Sequence, residues 1–367
     1  MSHSLAQERQ QRVRELCRER GWNALLVYGN AWRCDYLRYV SDFPILEGHG
    51  FALIEADGRL RLYLESPMEA ERAGLEAPGC DIVCRSEILS VLAAELARRD
   101  GQRLGAAPMR LMPFGVAEAA GERLEDAGEA FDRLLMRKSE REIDAVRRAA
   151  VMADAGYAVF RRAARPGRAE YELVAEVEAF FRSQGCPDNF MIVGSGGRDV
   201  RGMHPPGERR LCVGDFVTTE LTPCIDGYYA QICRTLVIGP PSAQQTAAFE
   251  LFLRSMEAGL AAVRPCATAG DVARAENDVF RDRGLGEYTT NRYTRVRGHG
   301  LGLYVDSRPP LLEDVDTPLE EGMTIIVHPN TYHPEAGYIV LGDSVVVRHD
   351  GPQVLTATPR VLFSVPA

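Results

Sequence analysis

The sequence has no Cys-x-x-Cys pair, no long apolar run and no excess of positive charge, and each absence removes a class of protein. Cysteine occurs nine times, an odd number at scattered positions. Without paired spacing there is no signal for a zinc ribbon or a thioredoxin-like site. The thiols are expected to be reduced and packed as small apolar groups. No apolar stretch approaches the ~18 residues that read as a membrane span. The start, MSHSLAQERQQRVREL, lacks the apolar core of a signal peptide. A cytoplasmic protein with no membrane partner is the expectation. The net charge of −9 and pI near 5.5 argue against a nucleic-acid partner, which meets a basic face. They also argue against docking on anionic lipid. A local basic pocket stays compatible, since Arg201, Arg209, Arg210, Arg234, Arg292, Arg295 and Arg297 all lie in the second half.

What is present is ordinary globular composition over 367 residues, too long for one typical core and suited to two domains. Alternating patterns in the first part predict an α/β domain over 1–135. Its elements are a helix at 8–20, a strand at 24–28, a hairpin about Ala56-Asp57-Gly58, a helix at 67–75, a strand at 81–84 and a helix at 88–99. Ser139-Glu140-Arg141-Glu142 reads as a capping box that opens a second, α+β domain over 136–367. Helices are expected there at 140–165, 170–184, 244–263 and 270–282. Strands are expected at 211–222, 228–238, 323–328 and 338–348. The repeated order helix-helix-strand-strand hints at an old duplication.

Four segments carry chemical signal: Gly196 to Pro206 with His204; Gly214 to Glu220, continuing through Tyr228 to Thr235; Gly298-His299-Gly300-Leu301-Gly302; and Gly322 to Pro329 with His328, followed by Gly342-Asp343. In order and spacing they resemble the catalytic domain of the creatinase / prolidase / aminopeptidase P superfamily, the pita-bread fold. The resemblance covers about 139–360 well, and the first part fits more loosely as that group's smaller α/β domain. It implies a homodimer in which the small domain of one subunit caps the site of the other, with Trp32, Arg33, Tyr36, Arg38 or His49 as candidate capping side chains.

The family's peptidases hold two metal ions with two Asp, one His and two Glu. Those places here are Glu220, Gln231, His299, His328 and Gly342. Only the histidine is unchanged, and one carboxylate cannot offset the charge of two hard dications. Asp306 stands where the peptidase pattern has a second His. The resemblance to creatinase, which works without metal, aligns its catalytic His with His204. Its two substrate-binding Glu fall at Cys233 and His328, so creatine itself is disfavoured.

Strand alternation is independent of any resemblance. It places Tyr229, Gln231, Cys233 and Thr235 on one face and Tyr228, Ala230, Ile232 and Arg234 on the other. Glu220 lies within an apolar-flanked strand, so it needs a partner or a proton; an ion pair with Arg234 is the structural alternative. His204 before two prolines is on a loop, suited to general acid/base work or simply solvated. His299 is a ligand contact or a core histidine bonded to a carbonyl. Cys233 is packing rather than a nucleophile, and His333 sits in an exposed turn.

Three functions fit. The first is a metal-independent hydrolase of a C–N bond in a small polar nitrogen compound (amidine, cyclic amidine, amide or N-acyl amino acid). Here His204, Glu220 and His328 are catalytic, Tyr229, Gln231, Cys233 and His299 bind substrate, and no cofactor is needed. The second is an enzyme with one iron, zinc or manganese ion on Glu220, His299 and His328. The third is a non-catalytic ligand-binding relative.

Overall fold

The computed structural model describes residues 5–77 and 79–367, which fall into two compact units, one ending at Leu135 and the other beginning at Met136. In the first, a sheet runs in the order Asp81–Cys84, Leu60–Leu64, His49–Glu55, Ala24–Asn30, Leu104–Ala107, Leu124–Asp126. The hairpin forms as expected because Gly58, at φ +99, supplies the left-handed turn residue. Helices at Asp35–Ser41 and Phe114–Ala120 and the two last strands have no counterpart in the sequence reading. Each is shorter than the window over which periodicity can be read. Among the suggested capping side chains, Trp32 is exposed, while Tyr36 is buried with its phenol on Asp132, and His49 Nδ1 lies 2.7 Å from the Tyr28 hydroxyl.

The second unit is built on one large sheet whose main path is Ser307–Pro310, Gly298–Gly300, Thr324–Val327, Gly342–Arg348, Ile232–Ile238, Phe216–Ile225, Asn189–Gly196. The Glu140–Ala163 helix opens with the expected capping box: Ser139 Oγ accepts from Glu142 N, and Glu142 Oε2 accepts from Ser139 N at 2.9 Å. Its apolar stripe and that of Glu170–Ser183 pack on Val193, Val217, Leu221 and Ile232. The Ala243–Ala262 and Ala269–Arg281 helices cover Ile325, Val327 and Val345 in the same way. Each helix pair thus has its own half-core. The halves meet where Ile232–Ile238 pairs with Gly342–Arg348, in the register Ile232↔Asp343 and Cys233↔Gly342.

Arg234 locks that seam from the helix side. It is fully buried, and Nη2 donates to Asp343 Oδ1 at 2.7 Å while Nη1 donates to the Gly342 carbonyl at 2.7 Å. Asp343 also accepts from Thr356 and Arg360. The suggested Glu220–Arg234 ion pair is therefore corrected. The two side chains leave their strands on opposite faces, and Arg234 spends its charge on Asp343.

The partners of Asp343 hold its carboxyl below the usual carboxylate range against the opposing effect of burial. Its contribution to stability is present above the unfolded value near ~3.9 and is lost as pH falls through the lower folded value. Asp343→Ala leaves a buried guanidinium uncompensated and is expected to cost about 3–5 kcal/mol. Thermal unfolding at neutral pH checks this; an unchanged Tm would show that the seam does not rest on this pair.

Candidate active site

The seam's other face gathers most of the predicted site. Cys233 stands directly opposite Glu220 on the Phe216–Ile225 strand and opposite Gly342 on its other side. Gln231 and Thr235 share its face, as alternation requires: Gln231 Nε2 reaches Cys233 Sγ at 3.6 Å, and Thr235 Oγ1 donates to the Val340 carbonyl at 2.8 Å. His328 leaves the end of Thr324–Val327, and His299 sits on the neighbouring Gly298–Gly300 strand. The two imidazole rings are edge to face with centroids 5.7 Å apart.

Glu220 keeps a partly accessible edge, yet burial pushes its carboxyl up to about 7. Two hydrogen bonds oppose that rise, from Asn330 Nδ2 at 2.9 Å and from the Cys233 thiol. No salt bridge reaches it among the described residues. The Cys233 thiol is itself driven well up by burial and then by the Glu220 charge, so it is no thiolate nucleophile. His328 is pushed down to about 3 by burial, with His299 and Arg297 adding to the effect, and its Nδ1 is buried without a hydrogen-bond partner. His299 is lowered by burial, while Asp306, 3.7 Å away, pulls the other way. Its Nδ1 lies 2.9 Å from the Gly300 carbonyl, which can only accept. The proton is therefore on Nδ1, and Nε2 is left as an acceptor.

Sequence reasoning missed two parts of this face. Asn330, almost fully buried, aims its amide at Glu220 from two residues beyond His328. Tyr288, Tyr293, Tyr332 and Tyr338 form an aromatic cluster that packs on Cys233. Tyr332 and His333 belong to a Thr331–His333 strand, not to an exposed turn, and burial lowers His333. The signal available in the sequence was four tyrosines among polar loops, which carries no spacing rule.

Two predicted residues do not join the group. His204 bridges the Asn189–Gly196 strand at Val193, and that strand separates it from Glu220. Its half-exposed ring has Nδ1 2.8 Å from the Pro205 carbonyl and 4.0 Å from Glu170. Met203, one residue earlier, packs on the tyrosine cluster. Alternation turns its neighbour away. Tyr229 donates its hydroxyl to Asp188 at 2.6 Å.

Comparison with known proteins assigns the fold to a family. The description "Metallopeptidase family M24" matches residues 144–349, and "Creatinase/Prolidase N-terminal domain" matches 9–143. The chain belongs to the M24 family. It is similar to the uncharacterized peptidase YqhT of Bacillus subtilis, 27% identical over 96% of this chain and 99% of that one. It is also similar to the probable dipeptidase PepE of Mycobacterium tuberculosis, 30% identical over 83% of this chain and 81% of that one. Among solved structures, the Xaa-Pro dipeptidase from Bacillus anthracis superposes with a TM-score of 0.83 at 27% identity, covering 98% and 100% of the two chains. The M24 chain is therefore a hydrolase acting on C–N bonds, with a pita-bread catalytic domain.

This assignment overturns the expectation of no cofactor, because the family is one of metallopeptidases. The side chains at its ligand places nevertheless do not fit the family's ion pair as they stand. Among the described residues no three His, Cys, Asp or Glu side chains gather as an ion's ligands. That covers the single-ion set Glu220, His299 and His328 as well. Gly342, the place expected for the second Glu, is also closed: a Cβ there would lie 2.8 Å from His328 Cβ and 3.1 Å from Cys233 Sγ. Gly342→Glu is therefore expected to force His328 and Cys233 apart and to cost about 1–3 kcal/mol from overpacking. A Tm equal to that of the unaltered M24 chain would show instead that the space is open.

Proposed function

We propose that this M24 hydrolase cleaves a C–N bond in a small, nitrogen-rich compound: a dipeptide-like amide, an N-acyl amino acid, or an amidine, open or cyclic. The observation that carries this reading is a set of acceptors gathered around a buried carboxylate that no cation pairs among the described residues. Among the described residues the Glu220 carboxylate has two neutral donors and no salt bridge, and His328 Nδ1 has no hydrogen-bond partner. His299 Nε2 is left as an acceptor. In the tyrosine cluster beside them, Arg201 and Arg292 already stack on Tyr332 and Tyr293, as electron-rich rings attract cations. Such a face takes N–H donors and positive charge. An amide or amidine nitrogen seated there places the bond to be broken beside Glu220.

Glu220 then has the properties of a proton carrier. Held near neutrality by burial, it is populated in both forms at working pH. The ionised form accepts a proton from attacking water; the acid form delivers it to the leaving nitrogen. His328 and His299, both kept neutral by burial, orient rather than protonate. Gln231, beside Cys233, completes the polar lining. His204, on its loop, is left without a step in this scheme.

The test is a screen of dipeptides, N-acyl amino acids and amidines, followed by Glu220→Gln on any compound turned over. The expected outcome is turnover of one such class and a loss of roughly 100-fold or more in kcat for the variant. A hit whose kcat survives Glu220→Gln removes the mechanism. Binding of these compounds without turnover by the unaltered chain would make it a ligand-binding relative instead.

The reading includes a homodimer. Light scattering is expected to give twice the chain mass of 40.5 kDa, and a value equal to one chain would remove the dimer.

A further inference from the structure

The Glu220 carboxylate is only as well placed as Asn330, and Asn330 is held by a residue outside the face. Arg297 is fully buried on the segment entering the Gly298–Gly300 strand. Its main-chain carbonyl accepts from His328 N at 3.0 Å. Its guanidinium Nη1 donates to the Asn330 carbonyl at 2.9 Å. One residue thus grips both ends of His328-Pro329-Asn330. Pro329, between them, has no N–H with which to continue the sheet, so this stretch has to be held by something other than the ladder. The Asn330 side chain is fixed in turn. Its Oδ1 accepts from Leu341 N at 3.1 Å, which leaves Nδ2 to donate to Glu220 Oε1 at 2.9 Å.

The far side of the guanidinium is also built. Nε donates to Asn277 Oδ1 at 2.5 Å, and Asn277 Nδ2 donates to Glu313 Oε1 at 2.6 Å. Glu276, fully buried on the Ala269–Arg281 helix, is pushed well up by burial, and among the described residues neither its oxygens nor Arg297 Nη2 has a hydrogen-bond partner. Burying a guanidinium is expensive, and burial lowers Arg297 here. A fold that only needed to fill this volume would use an apolar side chain.

We infer that Arg297 is a positioning residue for hydrolysis, clamping His328-Pro329-Asn330 so that the Asn330 amide meets Glu220, with Asn277 holding the guanidinium in place. The planar fork matters: Nε serves Asn277 while Nη1 serves Asn330. A lysine keeps the positive charge but cannot make both bonds in that geometry.

The inference rests on the role proposed for Glu220, so its test has one readout that needs turnover and one that does not. With a substrate in hand, Arg297→Lys is expected to lower kcat roughly 10- to 100-fold, with KM moved far less, the scale of one hydrogen bond to a charged group. Asn330→Ala is expected to do the same. The double variant should lose little more than either alone, because both changes break one connection. Without any substrate, protein labelled with 15N-asparagine reports directly. The Asn330 side-chain amide signal, assigned by its loss in Asn330→Ala, is expected to shift in Glu220→Gln and again in Arg297→Lys. A signal unmoved by Arg297→Lys, or kcat losses that simply multiply in the double variant, would overturn the clamp. A lowered Tm with kcat and the Asn330 signal unchanged would reduce Arg297 to packing. If no C–N compound is turned over but the signal moves as expected, the clamp stands and the functional reading of Glu220 falls.

Discussion

Everything in the catalytic unit depends on a single seam, where the strand Ile232–Ile238 pairs with Gly342–Arg348 and Arg234 closes on Asp343. That contact joins two half-cores, each covered by its own helix pair. It also decides which atoms face which way. Alternation about the seam sends Arg234 and Asp343 into the helix side and leaves Gln231, Cys233 and Glu220 on the other. The Arg234 charge is thereby neutralised on the side away from Glu220.

Desolvation then shapes the chemistry. The same burial raises Glu220, raises Cys233 and depresses His328. A carboxyl near neutrality, a thiol that stays protonated and an imidazole that stays neutral are three outcomes of one low-polarity setting. The closeness of Gly342 to His328 and Cys233 belongs to the same packing. The space beside Gly342 is filled by His328 and Cys233.

Much of this was legible in the order of residues. The capping box at Ser139, the hairpin at Gly58 and the alternation around Cys233 are local patterns, and local physics suffices to read them, whereas the three-residue Gly298–Gly300 strand was not read. The short strands at Leu104–Ala107 and Leu124–Asp126 were not legible, since three or four residues carry no period. His204 shows the limit of motif reasoning. Its segment has the family's spacing, but one bridge to Val193 turns the ring toward Glu170 and its neighbour Met203 toward the tyrosines.

The sequence by itself determined the family and the two-part organisation, because these depend on which residues stand where along the chain. Only the tertiary structure decided that Asn330, 110 positions from Glu220, is its donor. It alone decided that Arg297 grips the segment carrying Asn330, that Arg234 answers to Asp343, and that four tyrosines meet beside Cys233. Those contacts join residues from distant stretches. No spacing rule links them, and the packing of strand on strand and helix on sheet is what brings them within reach.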